Sequence, residues 1–513
     1  MRKLAFLFLS LFAFCTASAQ VTTSSMSGRV ADTDGQPIIG ATIVAVHTPT
    51  GTQYATASTR NGQFNLGGMR VGGPYDVEVS FIGCNTEKIG GIYLTIGEEA
   101  TLDFVLREDS QSIGEVVVVG KANPVFNANR TGAQEVVTLE MMEKLPTTSR
   151  SLDEFVKLTP MSSGKNFAGT SYRFNNVTVD GASFNNSFGL SSALGAQGTE
   201  PISLESIEQV QVMIAPYDVR NGGFTGGGIN SVTKSGTNEW HASVYMYTKS
   251  PELQGRRVRD YVGQVSEFSN RQYGVSLSGP IVKNKLFFFV NGELDRQDEP
   301  ISNRLADSRV SAADLDDLAK FLGDQFNYNP GGYDLSKTET RADRLTARID
   351  WNINDRNTFS LKYYYLKSYN TNAPSTSGAP ANGRGPNAYA MPFSSSYYRT
   401  NNNFNIVMAD WNSTINDHMS NTLKVGYSRL RDYRDMDGGF FPQVDILKDG
   451  SSYTVFGTEA NSYNNQLDTD IFQIQDNFTM NYGRHQITVG TQSDYRTFKN
   501  GFAQNYPCLL YTS

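Results

Sequence analysis

Apolar and polar residues alternate along most of this chain, in short runs broken by Gly, Asn and Asp. A period of two predicts strands with one covered face. Between about residues 26 and 107 the runs are brief: Tyr75, Val77, Val79 and Phe81 share one face, and Leu102, Phe104 and Leu106 close the set. Short strands at this spacing predict a β-sandwich. The Asp32-Thr33-Asp34-Gly35 stretch reads as a turn, because a calcium loop starting at Asp32 would need glutamate where Ile43 stands.

From Trp240 onward the strands are longer and carry a different pattern. Leu345, Ala347, Ile349, Trp351 and Ile353 fall on one face, and Thr346, Arg348, Asp350 and Asn352 on the other. Phe359, Leu361, Tyr363 and Tyr365 repeat the pattern after a turn at Asn354-Asp355-Arg356-Asn357. Apolar outside with charge inside suits strands between lipid and a wet lumen. Turns at Gly279–Lys285, 416–418 and 483–485 alternate with long polar connections at roughly 249–270, 297–341, 369–401 and 434–469. That long-short rhythm predicts a large antiparallel transmembrane β-barrel, of which about nine strands are present. In one long connection Ser311 is placed to cap a helix with Leu315, Leu318, Leu322 and Phe326 on one side. Ala373–Tyr389, rich in Pro, Gly and Asn, reads as mobile.

Composition sharpens the picture. Of 513 residues, 12% are aromatic, 19% charged and 39% hydrophobic. With a mean hydropathy of −0.39, a bundle of apolar membrane helices is excluded, whereas a barrel is not. The net charge of −7 argues against a nucleic-acid partner. At the N-terminus Arg2 and Lys3 precede an apolar run to Cys15, and Ala17-Ser18-Ala19 predicts signal cleavage between Ala19 and Gln20. Three cysteines make no disulfide framework, and the four histidines lack ligand spacing. Neither a catalytic arrangement nor a metal or cofactor site is expected, so the chain reads as a non-enzyme. The tract Gly222 to Gly228 lacks the Gly-Lys-Ser/Thr ending of a phosphate loop and reads as tight backbone packing.

Several motifs together carry a family resemblance. Gly28-Arg29-Val30, Gly35 to Ala41, Thr59 to Phe64 and Tyr75 to Gly83 resemble the carboxypeptidase regulatory-like domain that precedes outer-membrane receptors of the Bacteroidetes type. Ile207 to Val212, Pro216 to Arg220, Gly226 to Asn230 and Thr233 to Asn238 resemble the plug end of an Oar-like TonB-dependent receptor. Between the two lies Glu115-Val116-Val117-Val118-Val119, which is similar to the box such receptors offer to the periplasmic protein TonB. On periodicity alone that segment reads first as a strand internal to this chain, and its place between sandwich and plug is what favours the partner reading. An extended segment can also add itself to a sheet edge in a partner.

The resemblance implies a mainly β chain: an N-terminal β-sandwich, an α+β plug and the first part of a barrel. Its expected divisions are a signal peptide at 1–19, the sandwich at 20–109, a box-like linker at 110–120, a plug at 121–236 and barrel strands at 237–507. Residues 508–513 can be translated from the end of a transposon used to prepare sequencing libraries and read as foreign. A barrel of about 22 strands at roughly 29 residues each would need about 640 residues after the plug, so a C-terminal portion is expected to be missing. The implied role is TonB-dependent import of an unknown bulky substrate through the outer membrane, with TonB and lipid as partners and the N-terminal domains periplasmic. Tyr397, Tyr398, Phe440 and Phe441 are candidate substrate contacts. Two alternatives stay open: a SusC-type glycan or peptide importer working with a surface lipoprotein, and a non-energised adhesin or secretion-linked barrel.

Overall fold

The computed structural model describes residues 21–108, 117–119, 132–147, 150–163, 166–185, 194, 199–263, 265–301, 303–482 and 485–503. The expected cleavage site at Ala19 and Gln20, and the foreign-looking 508–513, lie outside these residues.

The N-terminal strands form a two-sheet sandwich. One sheet runs Thr52–Ala57, Thr42–His47, Gly72–Ser80, Glu87–Leu94, Val117–Val119; the other centres on Ser24–Ala31 beside Gln63–Met69. Tyr75, Val77 and Val79 are fully buried as the alternation requires. Phe81 is not: the strand ends at Ser80, and the ring is 37% exposed. Asp32 accepts from the N–H groups of Asp34 and Gln36 at 2.9 and 2.8 Å, which makes it a plain turn residue.

The second body holds a five-stranded sheet in the order Gly132–Thr138, Ile207–Pro216, Gly228–Thr233, Asn176–Val179, Ala182–Ser183, with short helices at Leu139–Lys144 and Leu152–Val156. Gly227 explains part of its glycine tract. A Cβ there would stand 2.4 Å from the ring of buried Phe167, so the strand could not approach so closely with any side chain.

Nine long strands then follow one another in a single antiparallel sheet: His241–Lys249, Ser269–Val282, Leu286–Pro300, Lys337–Asn354, Asn357–Asn372, Tyr398–Asn416, Met419–Asp435, Gln466–Tyr482 and His485–Gly501. Among the described residues the sheet curves without closing, its edges being the first and last strands. Ile349, Trp351, Leu361, Val407 and Trp411 are exposed on the outer face, where lipid would cover them. No helix among the described residues is long and apolar enough to cross a membrane, which says nothing about spanning by strands.

After the first, of 9 residues, the strands have 14 to 19, which exceeds the about 9–11 needed to span a bilayer. Their extensions carry a compact cap built from the long connections. Helix Ala312–Phe326 and hairpin Val444–Lys448 with Ser451–Phe456 share a core with Met391 and Phe393. Ser311 stands at the helix N-cap but makes no side-chain cap bond; its N–H instead donates to the Tyr453 hydroxyl at 2.9 Å. Leu315 and Leu322 are buried while Phe326 is exposed. Residues 373–389 have no regular structure, as their composition predicts, yet they are tied down. The Arg384 guanidinium donates to Asp445 and to the carbonyls of Ser375, Ser377 and Gly378. The turn expected at Gly279–Lys285 is shorter, because the strand continues to Val282 through a register shift at Pro280 that accommodates its missing N–H.

Candidate functional site

The second body rests against the concave face of the nine-stranded sheet, and the contact is rich in charge. Alternation along Lys337–Asn354 turns Arg344, Thr346, Arg348 and Asp350 inward, and all four are buried. Unpaired charges at such depth would be costly, so each is met by a partner.

Arg344 donates to Glu293 at 2.5 Å, to Asp295 at 3.1 Å and to the carbonyl of Glu200 at 2.7 Å. Glu293 also accepts from Ser203 at 2.6 Å, so this group pins the inner body to the wall. Arg348 pairs with Asp350 at 2.9 Å and donates to the carbonyl of Thr233 at 2.7 Å. Lys362 bridges Asp410 and, at 3.6 Å, Asp180.

Asp180 is the inner body's own contribution. It sits in the left-handed region at φ 52° in a turn completed by Gly181, fully buried. Its carboxylate accepts from Thr233 Oγ1 at 2.5 Å and from the Tyr364 hydroxyl. Burial alone would raise its pKa, but Lys362 and Arg348, with those two hydrogen bonds, hold it below the usual carboxylate range.

The sandwich joins the same network from the other side. Arg70 lies 3.4 Å from Asp350 and donates to Ser235 at 2.8 Å. Thr22 accepts from Lys424 at 2.6 Å, and Thr52 accepts from Asn352 at 2.8 Å. His47 is buried beside Arg70; burial first, then that guanidinium, lowers its pKa from 6.5 to about 3. Sandwich, inner body and wall enclose a polar cavity of about 120 Å³ lined by His47, Arg70, Asp180, Arg348, Lys362 and Asp410. Among the described residues no His, Cys, Asp or Glu group has metal-ligand grouping.

The residues singled out in the sequence fall elsewhere. Glu115 and Val116 lie outside the described residues, whereas Val117–Val119 forms a strand parallel to Glu87–Leu94 of the sandwich. Of the four aromatics, Tyr397 is buried, Phe441 stacks on Tyr328 at 3.9 Å, and Tyr398 lies under the Arg434 guanidinium at 4.9 Å. Phe440 alone of the four is widely open, 77% exposed. Sequence reasoning put Arg348 and Asp350 on the lumen face but missed Asp180, Arg70 and Lys424. Its only available signal was an Asp-Gly turn after a buried-looking strand.

Comparisons with known proteins agree with this architecture. The family described as "Outer membrane beta barrel domain" matches residues 232–330 and 302–508, over half of the chain. The family described as "Carboxypeptidase regulatory-like domain" matches residues 25–107. The TonB-dependent transporter Oar of Myxococcus xanthus is 26% identical over 276 residues, 49% of this chain and 25% of that protein. The "Probable TonB-dependent siderophore receptor PirA" of Acinetobacter baumannii is 26% identical over 249 residues, 44% of this chain and 28% of its own. Among solved structures, the outer membrane transporter YddB from Escherichia coli shares the fold with a TM-score of 0.51 at 14% identity, covering 71% of this chain and 48% of that one. The chain thus spans about a quarter of the length of the curated relatives it matches.

Proposed function

This chain belongs to the outer membrane β-barrel family and carries an N-terminal carboxypeptidase regulatory-like domain, and from that premise we propose that the whole protein is a TonB-dependent receptor of the Oar-like type that imports a bulky ligand across the outer membrane. The energy comes from the inner membrane through TonB, which grips the segment Glu115–Val119. The inner body is the plug.

The observation that carries this reading is how the plug is held. At its base the grip consists of ion pairs and hydrogen bonds around Asp180, Arg344 and Arg348, beside a polar cavity. Such contacts can be exchanged for water when the plug shifts, while beside them Phe184 of the plug packs edge-on against Tyr364 and Phe404 of the wall. Ligand capture belongs to the cap on the far side of the sheet, where Phe440 offers an open aromatic face.

Two experiments test the reading. In the whole receptor, deletion of Val116–Val119 abolishes both energised uptake and co-purification with TonB, while the protein still assembles in the outer membrane. Uptake surviving that deletion removes the mechanism. Phe440→Ala slows growth on the nutrient that the wild-type receptor supplies, with receptor abundance unchanged. Equal growth would strike Phe440 from the contact surface.

A further inference from the structure

One strand of the sandwich touches both the box segment and the plug. Along Glu87–Leu94, Lys88, Ile89 and Gly90 pair in parallel with Val117, Val118 and Val119. Just past the other end of this strand, the plug takes hold of the chain. Gln209 and Gln211, on the plug strand Ile207–Pro216, are buried and reach out to the sandwich. The Gln209 side chain accepts from the Ile96 N–H at 3.0 Å and donates to the Leu94 carbonyl at 3.0 Å. Gln211 donates to the Ile96 carbonyl at 3.1 Å. Both main-chain polar groups of Ile96 are therefore held by plug side chains.

The Ile96 side chain is fully buried, in a small apolar cluster with Val71 of the sandwich and Val136 and Val232 of the plug. Gly97 follows at φ +70°, where an added Cβ would stand 3.0 Å from the Gln211 amide nitrogen. The close approach depends on that glycine.

We propose that the sandwich transmits force: a pull on the box segment is delivered to the plug through strand Glu87–Leu94 and the Ile96 clamp, in addition to the covalent linker. The inference rests on the reading that TonB grips Glu115–Val119. A strand paired with Gly72–Ser80 from Glu87 to Leu94, across two register shifts, is stiff along its axis. The ladder bonds lie across the strands, so a pull along the strand loads them together rather than one at a time. Arg70, on the same sandwich, leaves Asp350 when the sandwich moves, and this loosens the charge network as the pull arrives.

The test uses the whole receptor in energised cells, with Ser231→Cys in a background lacking other cysteines. Ser231 is fully buried in the plug, and a maleimide reaches it only when the plug opens. Wild-type labelling should rise on energisation and fall with a protonophore. If it does not, the transport reading itself fails, whatever the clamp does. Gln209→Ala with Gln211→Ala should cut energised labelling by roughly tenfold or more, the lower end of what three net hydrogen bonds contribute, with co-purified TonB unchanged. Full labelling in this variant overturns the proposal. So does raised labelling in de-energised cells, which would mean that the glutamines merely seat the plug. A second variant joins the paired positions Ile89→Cys and Val118→Cys by a disulfide, read by hydrogen exchange at the plug strands. Energised opening that persists with the staple closed supports transmission through the strand. Opening lost on stapling shows that the box must leave the sandwich, and overturns it.

Discussion

At the scale of single residues, two side chains decide how the parts hold together. Asp180 gathers Lys362, Arg348, Thr233 and Tyr364 into one buried group. Breaking a buried charge network by removing one partner costs about 3–5 kcal/mol, because the remaining charges stay buried and unpaired. Asp180→Ala is therefore expected to loosen the plug, seen as faster proteolysis between residues 132 and 233 in membranes; unchanged proteolysis would show that the apolar contacts suffice. His47 gives the docked sandwich a pH dependence. Its pKa is about 3 when buried against 6.5 when free, so the unfolded state binds the proton first. The contribution of neutral His47 is complete above about 6.5 and is lost as pH falls from there towards about 3. Calorimetry should show the sandwich transition dropping through that window in the wild type and more shallowly in His47→Gln. Parallel curves would assign the dependence to carboxylates instead. His47 was visible in the sequence only as one scattered histidine, because its burial depends on where Arg70 and the wall come to lie.

At the scale of elements, alternation was a reliable guide and element ends were not. The inward row Arg344, Thr346, Arg348 and Asp350 follows from period two alone, since successive strand residues must face opposite sides. Where strands stop depends on neighbours. Phe81 left its face because Gly72–Ser80 loses its partners there, and Ser269–Val282 ran through Pro280 because a register shift was available. Gly227 shows the opposite case, a residue type whose reason is purely a contact. Gly227→Ala places a methyl against Phe167 and should destabilise the plug by about 1–3 kcal/mol, as overpacking does. Chemical denaturation of the membrane-extracted protein would measure it, and a midpoint equal to wild type would mean that the Phe167 ring simply turns aside.

At the scale of the whole molecule, the sandwich, plug and sheet meet at one buried polar junction rather than hanging as beads on a chain. The box segment illustrates the consequence. Its β-branched run reads first as a strand of this chain and, by its position, as a segment for a partner, and Val117–Val119 does pair internally, on the sandwich edge. The two readings are compatible, because a strand has two edges and the sandwich occupies one of them. An internal pairing of three residues is also short enough to be remade or carried along under load.

The amino-acid sequence by itself determined the class of the chain. Strand periodicity, turn residues and the alternation of short and long connections are local properties, each set by a few neighbouring residues, and they were enough for a sandwich and about nine barrel strands, while the plug came from the motif resemblance. Only the tertiary structure decided which charges meet, that Arg70 and Asp180 reach the wall's Asp350, Arg348 and Lys362, and that Gln209 and Gln211 hold Ile96. Residues about 100 or more positions apart share no local pattern, and an inward-facing charge is equally satisfied by many partners. The docking of three bodies selects one set, since at that junction every buried charge and amide must find a partner at once.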